Sequence, residues 1–188
     1  PQDELPRYRQ YMKAESLRLR MHHRAGLGGL EVCRARSWVV DLLLTHLWEA
    51  AQRLVPVVKG SPRMALVAFG GYGRGELCPM SDVDVMFLHD GTAGRGGKAG
   101  KQLAEWVELV LYPMWDLGFK IGHASRTPEE CVEVANGNMQ SKTSLLEARW
   151  VAGDEKLFRQ FEVAFHAECV KGHAEEYIGQ RLEDQRLR

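Results

Sequence analysis

The run Phe69-Gly70-Gly71-Tyr72-Gly73-Arg74-Gly75-Glu76-Leu77-Cys78-Pro79-Met80-Ser81-Asp82-Val83-Asp84-Val85 limits what this chain can fold into more than any other stretch. It reads as a glycine turn at the end of one strand, a compact piece over residues 72–80 holding one helical turn and a bend at Pro79, and a second strand starting at Asp82. Side chains alternate across a strand, so Asp82 and Asp84 share one face while Val83 and Val85 point inward. Two carboxylates on one face beside a glycine turn are a donor set for a divalent cation such as Mg²⁺.

Around this motif the hydrophobic pattern predicts an α/β (α+β) arrangement, a small mixed sheet flanked by helices at both ends of the chain. Helical spacing covers residues 6–24 and 30–54, the second with Val32, Trp38, Val39, Leu42, Leu43, Leu47 and Leu54 as an apolar stripe. The apolar run at 64–69 is a buried strand, 82–88 the strand bearing the acids, and 118–125 a third strand. Between them, the glycine-rich residues 91–100 read as a mobile loop and 101–115 as a helix. Thr127-Pro128-Glu129-Glu130 is a helix start, with a capping hydroxyl, a proline in the first turn and a Glu three residues after the cap. Helices are predicted over 127–136 and 139–151, the latter with its buried positions among Leu145, Leu146, Ala148 and Trp150. Residues 155–186 are predicted largely helical, with a break at Lys171-Gly172. This divides the chain into a helical segment (1–58), a sheet-bearing core (59–126) and a second helical segment (127–188). The five tryptophans, 38, 48, 106, 115 and 150, are assigned to packing.

Composition removes several function classes. Lys and Arg number 25 and Asp and Glu 25, so no global basic field favours a nucleic-acid partner. No run of about 18 apolar residues predicts a membrane span, and no leader pattern opens the chain, which points to the cytoplasm. Cys33, Cys78, Cys131 and Cys169 show no paired spacing, so they read as free thiols, mostly in the core, in a reducing compartment. The first residue is Pro1 and the last, Arg188, lies in a charged helical pattern, as expected of a fragment of a longer multidomain protein.

Glycine turns after a strand suggest three phosphate-binding devices. In a dinucleotide fingerprint counted from Gly71 and Gly73, the last glycine position falls on Glu76. A P-loop fails as well, because Gly97-Lys98 and Gly100-Lys101 are followed by Ala99 and Gln102. The third device is a nucleotidyltransferase site, in which a glycine pair lets backbone approach a triphosphate and an Asp-x-Asp on the next strand binds Mg²⁺. Gly70 and Gly71 occupy the backbone positions and Asp82 and Asp84 the metal positions. Ser81 either donates to a phosphate or caps its own turn. Arg74 either binds triphosphate or pairs with Glu76 or a helix acid. Arg126, Glu147 and Arg149 read as residues that support the site from behind or as structural ion-pair residues, the structural role favoured, and Arg95, Lys98 and Lys101 as solvated loop cations in preference to cations that close over a nucleotide.

Residues 70–84 resemble the nucleotidyltransferase domain of the bacterial PII-protein uridylyltransferase/uridylyl-removing enzymes, in the DNA polymerase β-like superfamily. Residues 115–127, Trp-Asp-Leu-Gly-Phe-Lys-Ile-Gly-His-Ala-Ser-Arg-Thr, and 145–154, Leu-Leu-Glu-Ala-Arg-Trp-Val-Ala-Gly-Asp, extend the resemblance to most of 31–186. It implies Mg²⁺-dependent transfer of UMP from UTP to a tyrosine hydroxyl of PII, with release of pyrophosphate. Asp82 and Asp84 would then be catalytic metal ligands. Family members continue into a uridylyl-removing hydrolase and glutamine-sensing domains, which this chain does not include. One departure stands out. The superfamily commonly has a third carboxylate on the later strand, where this chain has Lys120 and His123, with Asp116 just before. His123 is a proton acceptor by type, against a structural histidine as the alternative. The rival functions are transfer to another acceptor and a non-catalytic nucleotide-binding regulatory module.

Overall fold

The computed structural model describes residues 4–92 and 97–186. Strand β1 (Met64–Ala68) is buried along its whole length, which is why its sequence shows no polar alternation. β2 (Val83–His89) lies antiparallel to it, with Met64 opposite His89 and Ala68 opposite Val85. β3 (Ile121–Arg126) runs parallel to β2 and sets Gly122 opposite Asp84. With β4 (Arg149–Gly153) the sheet order is β3-β2-β1-β4. The sheet is mixed and helix-flanked, as the sequence predicts.

β4 is the main departure. The predicted helix over 139–151 ends early: α6 (Met139–Leu146) stops before Glu147, and residues 149–153 pair antiparallel with β1 through a register shift at Leu66/Val67. Leu145, Leu146, Ala148 and Trp150 satisfy neither period cleanly, and the open edge of β1 supplies hydrogen bonds that local propensity does not. Among these four residues Leu145 is the buried one, while Leu146 and Trp150 are exposed. The sheet therefore draws on residues 149–153 as well as on 64–126.

Period-2 alternation splits the sheet residues between two cores. Leu66, Ala68, Val83, Val85 and Phe87 pack beneath α2 (Gly29–Leu54) and α4 (Lys98–Asp116), against Leu43, Leu44, Leu47, Trp106 and Val110. α1 (Leu5–Arg24) lies outside α2 and buries only Leu19 fully. Ala65, Val67, Met86 and Leu88 pack on the other face against Cys131 and Ala135 of α5 (Pro128–Gly137) and Phe158 and Phe161 of α7 (Glu155–Phe165). Each fully buried Leu or Phe of these layers contributes roughly 1.5–3 kcal/mol.

The helix start at Thr127 is as predicted: Thr127 Oγ1 accepts from the Glu130 N–H at 3.2 Å, and Glu130 Oε2 accepts from the Thr127 N–H at 2.8 Å. α4 opens at Lys98, inside the predicted loop over 91–100; residues 93–96 of that loop, with Arg95, lie outside the described residues. The predicted break near Gly172 is present: a π-helical turn (His166–Val170) follows α7, and α8 begins only at Ala174 and runs to Arg186. Trp48 and Trp106 pack together in the core with ring centroids 6.0 Å apart. Trp38 and Trp115, also assigned to packing, are instead exposed because the helix phase turns them outward. No described helix is long and apolar enough to cross a membrane.

Candidate active site

The glycine motif folds as one turn of helix, α3 (Gly70–Gly73), directly at the end of β1. Gly70 has φ +59°, the left-handed conformation that side chains resist, and a Cβ there would sit 3.4 Å from Asp84 Oδ2. The first N–H groups of such a turn have no acceptor inside it. Its third residue, Tyr72, is buried and its hydroxyl donates to Asp41 Oδ1 at 2.6 Å. Burial holds that hydroxyl well above its ordinary titration range, and the Asp41 charge adds to the effect.

Arg149 completes the lock on the turn. Its guanidinium donates to Asp41 Oδ2 at 2.9 Å and Oδ1 at 3.0 Å, and to the backbone carbonyls of Gly73 and Tyr72 at 3.2 and 3.3 Å. It also lies 5.4 Å from the Tyr72 ring centroid. α2, α3 and β4 are thereby tied at one point. The ion-pair reading of Arg149 holds, but its partner Asp41 lies 108 residues away, and no local signal points to it.

After α3 the chain crosses the end of α2. The buried Leu77 donates its N–H to Ser37 Oγ at 2.9 Å. Arg74 is held by Glu147 through Nη1 and by Glu76 through Nε at 3.4 Å, the second of its two predicted roles. A related correction concerns the thiols: Cys33 and Cys78 are not buried in the core but meet on this seam, with the sulfurs 3.7 Å apart and Cys78 exposed. Sequence spacing could not show a contact made across 45 positions.

Asp82 is exposed and Asp84 half-buried at the start of β2. Together with Gly71 and Ser81 they line a cleft of about 430 Å³. On its other side Asp84 opens on a second lobe of about 550 Å³, bordered by Phe69, Gly122, Arg126, Asn138, Gln140 and Ser144. Gly70 underlies Asp84, and Arg74 is not among the residues lining either lobe.

Gly122 is the neighbour that sequence reading missed. A Cβ on it would fall 2.2 Å from Asp84 Oδ1, so this strand position must stay bare for the carboxylate to sit where it does. Gly122→Ala is expected to leave the sheet intact and to reduce turnover on the order of 100-fold by displacing Asp84. A normal circular dichroism spectrum with an undiminished rate would contradict this.

Burial pushes the Asp84 carboxyl up, and the like charge of Asp82 pushes it further. Neither acid is in an ion pair with a described Lys or Arg. Two uncompensated carboxylates facing open space are the electrostatic condition that a divalent cation relieves. Mg²⁺ takes one or two protein carboxylates and fills its shell with water and phosphate oxygens, so the donor set fits it.

No group of three acids, histidines or cysteines able to hold a metal occurs among the described residues. Lys120 is exposed, and its carbonyl accepts the Val83 N–H at 2.8 Å. Asp116 lies exposed at the end of α4. His123 borders the second lobe, but β-pairing sets it opposite Val85, a residue of the α2/α4 face, and its ring meets Trp115 edge-on at 6.0 Å. The His123 ring is exposed, and no described residue hydrogen-bonds to it.

Comparison with known proteins agrees with this geometry. A family model described as a nucleotidyltransferase domain matches residues 44–151, from within α2 to within β4. The bifunctional uridylyltransferase/uridylyl-removing enzyme of Phenylobacterium zucineum is 39% identical over 162 residues, covering 85% of this chain and 17% of that protein. The enzyme of the same name from Rhodopseudomonas palustris is 36% identical over 186 residues, 94% of this chain and 19% of its own length. That of Erythrobacter litoralis is 38% identical over 150 residues, 80% of this chain and 15% of its own. The chain thus spans less than a fifth of the length of these curated relatives. With the glycine turn, both aspartates and the bare strand position at Gly122 all inside the matched span, the chain belongs to the nucleotidyltransferase domain family.

Proposed function

We propose that this chain transfers UMP from UTP to a tyrosine hydroxyl of the PII regulatory protein, releasing pyrophosphate and using Mg²⁺. The observation that carries the reading is the Asp82–Asp84 pair, without an ion-pair partner among the described residues, lining one cleft beside the glycine turn with Asp84 also opening on the second lobe. Relatives 36–39% identical bear the name uridylyltransferase, which supports UTP as the donor.

Asp82 and Asp84 would hold the metal, which when bound supplies Lewis-acid polarisation of phosphate and acceptor oxygens. Gly70 and Gly71 present backbone N–H groups to the triphosphate, and Ser81 adds a hydroxyl at the same cleft. The acceptor oxygen bonds to the α-phosphorus as the bond to the bridging oxygen of pyrophosphate breaks. In the second lobe, the amides of Asn138 and Gln140 and the hydroxyl of Ser144 suit the polar edges of a nucleoside. Arg74, engaged by Glu147 and Glu76, braces the loop.

Mixing the chain with UTP, Mg²⁺ and PII and following pyrophosphate tests this reading. Release that needs all three components supports it. Release only with a different acceptor moves the substrate assignment, and tight UTP binding without release favours a regulatory module. The latter reading draws on the lack of a three-residue metal group among the described residues.

A further inference from the structure

We propose that Cys33 and Cys78 are a redox modification site, forming a reversible disulfide that pins the loop before Asp82 to α2 and slows nucleotidyl transfer. The cross-link is independent of the function proposed above; only its effect on transfer rests on that reading.

Four observations place the pair. The Cys33 thiol donates to Cys78 Sγ across 3.7 Å, so the sulfurs are already neighbours. Closing to a bond of about 2.05 Å needs roughly 1.7 Å of approach, which the exposed loop segment can supply. Cys78 is exposed and Cys33 intermediate, whereas Cys131 and Cys169 are buried and out of reach of an oxidant. The seam is preorganised, because Leu77, next to Cys78, is docked on Ser37, one helical turn from Cys33. Finally, the Cys78 carbonyl accepts the Ser81 N–H at 3.1 Å, so a pull on Cys78 reaches Ser81 and Asp82 through one turn.

Hydrogen peroxide is a sufficient oxidant. The Cys78 thiolate attacks one peroxide oxygen, the O–O bond breaks, hydroxide leaves as water after taking a proton, and Cys78 becomes a sulfenic acid. Cys33 sulfur then attacks Cys78 sulfur, the S–S bond forms, the S–O bond breaks and a second water leaves. Two thiols lose two electrons in total and the peroxide gains them. Burial pushes the Cys33 thiol up, with the contact to Cys78 second, so the exposed Cys78 is the sulfur that meets the oxidant first. A dithiol reductant reverses the bond.

The test treats the chain with peroxide, maps disulfides by mass spectrometry without reduction, and follows hydrogen exchange over residues 77–82 together with pyrophosphate release. A Cys33–Cys78 linked peptide is expected, with slower exchange over 78–82 and a fall in turnover on the order of tenfold, all restored by dithiothreitol. Cys33→Ser should keep its basal rate and lose the link and the inhibition together, while Cys131→Ser should behave as wild type. Cys78 recovered as sulfinate with Cys33 still alkylatable would overturn the proposal, as would a formed link that leaves exchange and turnover unchanged. If the reduced chain releases no pyrophosphate at all, the proposed function has failed, and the linked peptide and exchange still decide the redox site.

Discussion

Asp84→Asn is expected to lower nucleotidyl transfer by about 10³-fold or more while raising the melting temperature of the metal-free chain. The expectation rests on the half-buried carboxylate being, among the described residues, the one that lines both lobes, and on the proposed role of Asp84 in holding the metal. The gain in stability follows from the sign of its titration. Burial and Asp82 raise the folded carboxyl above its unfolded value, so the folded chain binds that proton more tightly than the unfolded chain does. The resulting contribution is fully present below the unfolded value of about 4 and is lost as pH rises through the raised folded value. At neutral pH the ionised group therefore opposes folding, and the isosteric amide removes that opposition. Screening by solvent at this half-exposed site limits the effect to roughly 1–2 °C. Differential scanning calorimetry from pH 3.5 to 8 should show wild type and variant converging at the acid end and separating above. Mg²⁺ with UTP should raise the wild-type transition and leave the variant unmoved. A variant that keeps its rate would remove Asp84 from the mechanism.

Arg149→Leu is expected to destabilise the chain by about 2 kcal/mol, lowering the melting temperature by roughly 5 °C. The substitution leaves Asp41 without its counter-charge and takes the guanidinium donor from the carbonyls of Gly73 and Tyr72, the second of which keeps the Gly75 N–H. The ion pair is partly exposed, with side chains 35% and 26% accessible, so the cost falls below that of a fully buried pair. Tyr72→Phe removes one hydrogen bond from the same knot and should cost about 1 kcal/mol. Because both groups share Asp41, losses in the Tyr72→Phe/Arg149→Leu double variant should fall short of additivity, which chemical denaturation of the four chains would show. Additive losses would mean that the residues act independently.

The chemistry of the candidate site was legible because it is local. Gly71 closely follows a buried strand, and Asp82 and Asp84 sit two apart where the next begins, so turn and strand periodicity bring these three to one cleft, with Gly70 beneath Asp84. What supports the site was not legible, because it is made by contacts far apart in sequence. Gly122 is required only because parallel pairing sets it opposite Asp84, and Asp41 matters only because α2 passes behind the turn. β4 was misread for the same reason: residues 149–153 become a strand by completing the edge of β1, a partner more than eighty positions away. Helix ends were clear where a side chain fixes them, as at Thr127, and shifted where none does, as at Lys98, whose N-cap Gly97 has no side chain to cap with.

The most direct measurement is to incubate the chain with UTP, Mg²⁺ and PII and to locate the product by mass spectrometry of PII peptides. One uridylyl group on a single tyrosine is expected, formed with release of one pyrophosphate and absent when Asp82→Asn or Asp84→Asn replaces the wild-type chain. Unmodified PII from the wild-type reaction, or equal modification by the two variants, would contradict it.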